Sequence, residues 1–245
     1  MSLVLAASNG PVIPSFGGGS SSFACERANR LFCSGWVSRN WDSVLWPALR
    51  QHVVLTVLAV AIGFLISTAL AFVAYRRRWL ERPVLIVTSI LYTIPSLALF
   101  ELLVPVPGFG LSRTTALVAL ISYTLLIMFR NTLTGLREVP LEVRDAAAGM
   151  GMGPTQSLLR VELPLALPAI VAGLRIATVT VISLATVAAL IDNEGLGAPI
   201  LQAISNEVFK TELIVAGGMA IALALAADGL LVLLQRRLTP WARLG

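Results

Sequence analysis

Long apolar runs and short polar interruptions alternate along this chain. Five stretches, about residues 53–75, 84–104, 115–129, 168–191 and 213–234, are built mainly from Leu, Val, Ile and Ala and hold few charges. A helix needs about 20 apolar residues to cross about 30 Å of hydrocarbon. The third run is short, and Leu111 is an alternative start for it. The pattern predicts an all-α polytopic membrane protein with about five transmembrane helices.

Composition points the same way. Of 245 residues, 57% are hydrophobic and only 13% charged, which leaves too little polar surface to cover a soluble globule. A net charge of +5 and a pI near 10.0 would suit nucleic acid, so the positions of the cations decide the matter. Arg76, Arg77, Arg78, Arg82, Arg130, Arg137, Arg144, Arg160, Arg236, Arg237 and Arg243 fall on one side of the spans, whereas Arg113 and Lys210 alone occupy the opposite short loops. Such an excess marks the cytoplasmic side. Five spans then place the amino terminus outside and the carboxyl terminus inside a bacterial cytoplasmic membrane. Topology accounts for the basic balance, and no nucleic-acid partner is needed.

Residues 1–50 read as an extracytoplasmic tail and interfacial segment, 51–237 as the transmembrane domain and 238–245 as a cytoplasmic tail. The early stretch "PSFGGGSSSF" has little reason to fold. Trp36, Trp41 and Trp46 recur every five residues, which suits an interfacial segment feeding the first span. Cys25 and Cys33 fall outside the membrane, where a small disulfide loop and two unpaired thiols are both open readings. The single histidine, His52, stands alone at the membrane edge, so no metal site is expected.

Missing motifs narrow the function. The only lysine, Lys210, follows Phe209, so no phosphate-binding G-x-x-x-x-G-K-[ST] loop exists. Neither H-E-x-x-H nor G-x-S-x-G occurs. The chain reads as a conduit with no catalytic residues and no cofactor.

The longest gap between spans, 130–167, should contain helix, because a structureless loop of that length is uncommon. Pro140 suits a first helical position, "LEVRDAAAGM" is rich in helix formers, and Gly149, Gly151 and Gly153 stop it. Pro154 starts a second short helix, "PTQSLLRV", expected to end before Pro164. The three alanines make one surface thin enough for another protein's backbone to approach.

Asp145-Ala146-Ala147, Gly151 six positions after Asp145, and Val161-x-Leu163-Pro164 resemble the EAA loop of ABC importer permeases. Asp stands for the family's Glu and Val for its Ile. The segments "HVVLTVLAV", "YTIPSLALF", "EVPLEVRDAA" and "GMGMGPTQSLLRVELPLALPAIVAGLRIAT" extend the resemblance to the osmoprotectant branch, across most of 50–235. It implies a type I importer fold of the MetI-like kind, with 137–167 as a coupling loop docking on a separate ATPase subunit pair. It also implies a second permease subunit, identical or paralogous, and an extracytoplasmic solute-binding protein. The implied cargo is glycine betaine, choline, carnitine or proline. The alternatives are an amino-acid or methionine importer of the same core, or a membrane scaffold that carries no flux. One departure falls at the outer mouth, where relatives commonly read G-A-G-G-L-G and this chain has Asp192-Asn193-Glu194-Gly195-Leu196-Gly197.

Polar groups inside spans are costly and mark functional candidates. Thr180, Ser183 and Thr186 recur every three residues and form one stripe that either lines a path or bonds between helices. Pro95, beside Ser96, should bend the second span. Arg175 and Asp228 lie at matching depths, roughly 10 Å in at 1.5 Å per residue, and are expected to pair or to face a watery vestibule. Glu101 near the outer end of its span either attracts a cation or snorkels to the interface.

Overall fold

A computed structural model describes residues 22–206 and 208–240. The Gly/Ser-rich stretch, Arg243 and most of the carboxyl tail lie outside them. Eleven α-helices and no strand occur among the described residues. Two short helices come first, α1 (Ser22–Arg27) and α2 (Ser34–Asn40). A π turn at Trp41–Leu45 leads into α3 (Trp46–Arg76), so the tryptophan segment is a helical run-in to the first span. Then follow α4 (Glu81–Thr93), α5 (Ser96–Leu103), α6 (Arg113–Arg137) and α7 (Leu141–Gly149). The chain closes with α8 (Pro154–Ser157), α9 (Leu163–Asp192), α10 (Gly197–Ser205) and α11 (Lys210–Leu238).

Four helical stretches are long and apolar enough to cross a membrane, and α4 with α5 makes a fifth, bent pair. Helix α6 is the hub, packed between α3 and α9, with α11 on the far side of α9. The main core joins Leu55, Ala59 and Val60 of α3, Phe100 of α5, Leu120 and Tyr123 of α6, and Val181, Ala185 and Ala188 of α9. Small residues allow the close approach, as is usual where lipid removes the hydrophobic drive for helices to associate. A Cβ on Gly63 would come within 1.8 Å of Thr124 Oγ1, and one on Gly173 within 2.6 Å of Asn131.

One expectation is exceeded and another needs correction. The second span bends at Pro95, and the bend is a full break, with α4 and α5 meeting at 99°. Pro95 stands in the break itself, after an extended Ile94 (ψ 128°), whose carbonyl accepts a 2.6 Å hydrogen bond from the Tyr123 hydroxyl. A donor from α6 thus satisfies the acceptor that leaves the helix. The second helix of the long loop, in turn, does not end before Pro164. It runs from Pro154 to Asp192 as one rod. A π turn at Leu158–Glu162 widens the helix just ahead of Pro164, and a wider turn accommodates a proline ring that would clash with a normal one.

Candidate functional site

The long loop is a built structure on the arginine-rich side. Helix α7 follows an extended Pro140 (ψ 143°). Ala147 is buried against the body, while Asp145, Ala146 and Ala148 are exposed. At its end Met150, Gly151 and Met152 donate their N–H groups to the carbonyls of Ala146, Ala148 and Ala147, at 2.9–3.1 Å. This closure needs a left-handed residue, and Gly151 supplies it at φ +82°, with open space where a Cβ would stand. Leu141 and Met150 are 68% and 69% exposed at the two ends of the helix. The result is a short ridge with apolar ends and two exposed carboxylates, Glu142 and Asp145.

What holds α7 is a buried cluster that the sequence reading missed. Glu162 is only 6% exposed and sits between Val161 and the Leu163-Pro164 pair. It accepts from the Tyr75 hydroxyl at the end of α3, and from Ser157 Oγ of α8 at 2.9 Å. Arg144 of α7 lies 3.8 Å from the same carboxylate, donates to Leu136 O at 2.8 Å, and stacks over the Tyr75 ring at 5.6 Å. Arg76 adds a 2.8 Å bond to Thr155. One carboxylate therefore ties α7, α8, α3 and the foot of α9 together. An acidic residue amid apolar neighbours just before Leu-Pro was the available signal.

The other end of α9 is anchored differently. His52 is fully buried, a burial that the sequence pattern did not reveal. Its Nε2 lies 3.0 Å from Ile182 O, and its Nδ1 accepts from Leu196 N at 3.2 Å. With a carbonyl at one ring nitrogen and an amide N–H at the other, the ring must be neutral and carry its proton on Nε2. Gln51 accepts from Gly195 N at 3.1 Å. Asp192 Oδ1 accepts from Glu194 N, and Glu194 lies 3.7 Å from Arg113. Asn193 (φ +52°) and Gly195 (φ +71°) are left-handed. A Cβ on Gly197 would reach within 2.1 Å of Thr186 O. The departure from the family's glycines thus spares the two that geometry requires, and Asn193 takes a left-handed position that asparagine tolerates.

Residues 59–240 match the model of binding-protein-dependent transport system inner membrane components. The chain belongs to that family. This permease is 40% identical to the osmoprotectant import permease protein OsmW of Salmonella typhimurium, over 78% of its own length and 89% of the relative's. It is 35% identical to the choline transport system permease protein OpuBB of Bacillus subtilis, over 78% and 86%. Among solved structures, an inward-facing MetNI methionine ABC transporter chain superposes with a TM-score of 0.72. That superposition spans 80% of this chain and 97% of the other, at 21% identity, a likeness of fold. The permease is a multi-pass inner-membrane component and works with a binding protein.

Between the two ends of α9 lie the polar groups inside the permease. Arg175 Nε and Nη2 donate to the two oxygens of Asp228 at 2.8 and 3.0 Å, a bidentate pair joining α9 to α11. Thr180 and Thr186 give their hydroxyl protons to Ile176 O and Ser183 O of their own helix, so their remaining lone pairs are what the stripe with Ser183 presents. Ser96 is half-buried at the start of α5, and Glu101 is exposed. Cys25 and Cys33 form a disulfide. The loop it closes is hooked to α11: Asn29 bonds Val208 O and Lys210 N, and Thr211 Oγ1 donates to Arg30 O.

Proposed function

We propose that this permease is the translocating subunit of an ATP-driven importer of compatible solutes or quaternary amines: glycine betaine, choline, carnitine or proline. The observation that carries the reading is the pinned loop, a thin alanine surface on α7 closed by a left-handed Gly151 and locked to three other elements through Glu162. Such a part is suited to receive a push and pass it to α3 and α9. With no phosphate-binding loop of its own, the chain takes that push from a separate ATPase subunit pair. Asp145, Ala146, Ala147, Gly151, Val161, Leu163 and Pro164 form the docking segment within 137–167. The arginine-rich side is cytoplasmic, with the amino terminus outside and the carboxyl terminus inside.

The named relatives support the solute class. A second permease, identical or paralogous, completes the path, and an external binding protein delivers cargo near Asp192, Glu194, Gly195 and Gly197. Pro95, Ser96, Thr180, Ser183 and Thr186 are the path candidates, and the Arg175–Asp228 pair braces the same region. Gly151→Asp is the test. It should leave the protein in the membrane and abolish the coupling of uptake to ATP hydrolysis in reconstituted vesicles, whereas normal coupled uptake of labelled betaine or choline sinks the assignment.

A further inference from the structure

Two surface hollows lie along α4, the second beginning about one helical turn beyond the first. The first, about 1060 Å³, opens at the turn between α3 and α4 and is lined by Arg78, Trp79, Glu81, Arg82, Arg137 and Arg144, among others. Its charges do not cancel. Arg137 holds both oxygens of Glu81, and Arg144 is engaged with Leu136 O and Glu162. Arg78 and Arg82 are exposed and have no ion-pair partner among the described residues. Trp79, 69% exposed, stands at the same rim, and an indole prefers the headgroup level of a bilayer.

One turn further along α4 the second cavity begins. Of about 550 Å³, it is lined by Leu85, Ile86, Ile90 and Ile94 with Ser89 and Thr93. The Thr93 hydroxyl is spent on Ser89 O at 2.7 Å, which leaves the Ser89 hydroxyl as the polar group of an otherwise apolar face. From Arg82 to Ile94 the helix advances about 18 Å, slightly more than half of the roughly 30 Å hydrocarbon thickness. The apolar face ends at the break at Pro95. The combined surface is a basic mouth followed by an open, mainly apolar face of α4 about one leaflet long.

We infer that this pair of cavities binds one anionic phospholipid, its phosphate between Arg78 and Arg82 and one acyl chain along Leu85–Ile94. Guanidinium forks match phosphate oxygens geometrically and by charge. The mouth repels a cationic solute. A spanning helix of another chain would need a partner face across the whole bilayer, not across one leaflet. A second copy related by a two-fold axis along the membrane normal would set two arginine mouths at the same depth, with like charges opposed. Arg144 of α7 and Arg137 at the end of α6 both line the mouth, so a bound phosphate adds an anchor beside the docking helix.

The test uses the full-length chain in phosphatidylcholine vesicles. In a variant with Trp79 as the sole tryptophan (the other four changed to Phe), a small fraction of brominated phosphatidylglycerol should quench Trp79 far more than the same fraction of brominated phosphatidylcholine. Arg78→Gln and Arg82→Gln should each cut that preference about fivefold, the worth of one basic side chain at an anionic surface. Equal quenching by the two lipids overturns the inference, as does quenching by neither, which would mean that protein covers the site. Loss of the preference on adding millimolar inorganic phosphate would make it a soluble-anion site and also overturn it. Native mass spectrometry keeps the question decidable should the tryptophan variant fail to fold. The unaltered chain should retain phosphatidylglycerol that the Arg78→Gln/Arg82→Gln chain loses, and equal retention counts against the site.

Discussion

The two ends of α9 are fixed by different kinds of chemistry. At the arginine-rich end, a single carboxylate, Glu162, gathers Tyr75, Ser157 and Arg144 from three elements. At the other end, a neutral imidazole bridges two backbone groups, and Gly197 lets α10 press onto Thr186. Ion pairs and charged hydrogen bonds tolerate small shifts of position, because their energy falls gradually with distance. A ring wedged between a carbonyl and an amide, beside a glycine with no room for a methyl group, does not. On the proposed reading, the end that docks on an ATPase is held by adjustable contacts, and the end at the proposed outer mouth by fixed ones.

Four substitutions test that contrast. The largest effect should come from Glu162→Ala, which strips Arg144, Tyr75 and Ser157 of their common partner. A loss of about 3–4 kcal/mol is expected, the scale of breaking a buried pair on one side. Hydrogen exchange should rise across α7 and α8 and stay unchanged at 193–197. His52→Ala should cost about 3 kcal/mol, through a cavity and an orphaned Leu196 amide. Exposure should then rise at 193–197 alone. Protection lost at both ends in either variant would erase the distinction. Gly197→Ala should cost about 2 kcal/mol by overpacking against a backbone oxygen, read as a lower midpoint in thermal unfolding of the detergent-purified protein. Smallest is Tyr75→Phe, about 1 kcal/mol for one hydrogen bond, with Glu162 still held by Ser157 and Arg144. A Tyr75→Phe loss as large as that of Glu162→Ala would make the tyrosine, not the carboxylate, the centre of the cluster.

Much of the architecture was legible from hydropathy, because a membrane span imposes length and composition at once. The first helix of the long loop and its glycine stop were legible from glycine and proline punctuation. Proline rules then failed in opposite directions. Pro95 makes a break far sharper than a kink because Tyr123, in another helix, captures the Ile94 carbonyl. Pro164 makes no break at all because a π turn precedes it. Both outcomes depend on where backbone geometry and carbonyls find compensation, and local sequence does not carry that. The burial of His52 was missed for a related reason. Its partners, Ile182 and Leu196, stand 130 and 144 residues away, and one polar residue at the edge of an apolar run has no period to betray its burial. The cysteine pair was left open by spacing alone, which allows a bond without requiring it.

The hook between the first and last helices bears on how the chain is made. Asn29 and Arg30 grip residues 208–211, about 180 positions later, and α11 is otherwise the least enclosed of the spans, with 6% of its apolar window buried. During synthesis the early segment must wait, its contacts vacant, until the last helix has been threaded through the bilayer. Only then do the two segments meet, away from the arginine-rich loops, and the helix bundle acquires a clasp. A chain truncated before α11 would leave that clasp open, a ready mark by which a cell could sort unfinished copies from finished ones.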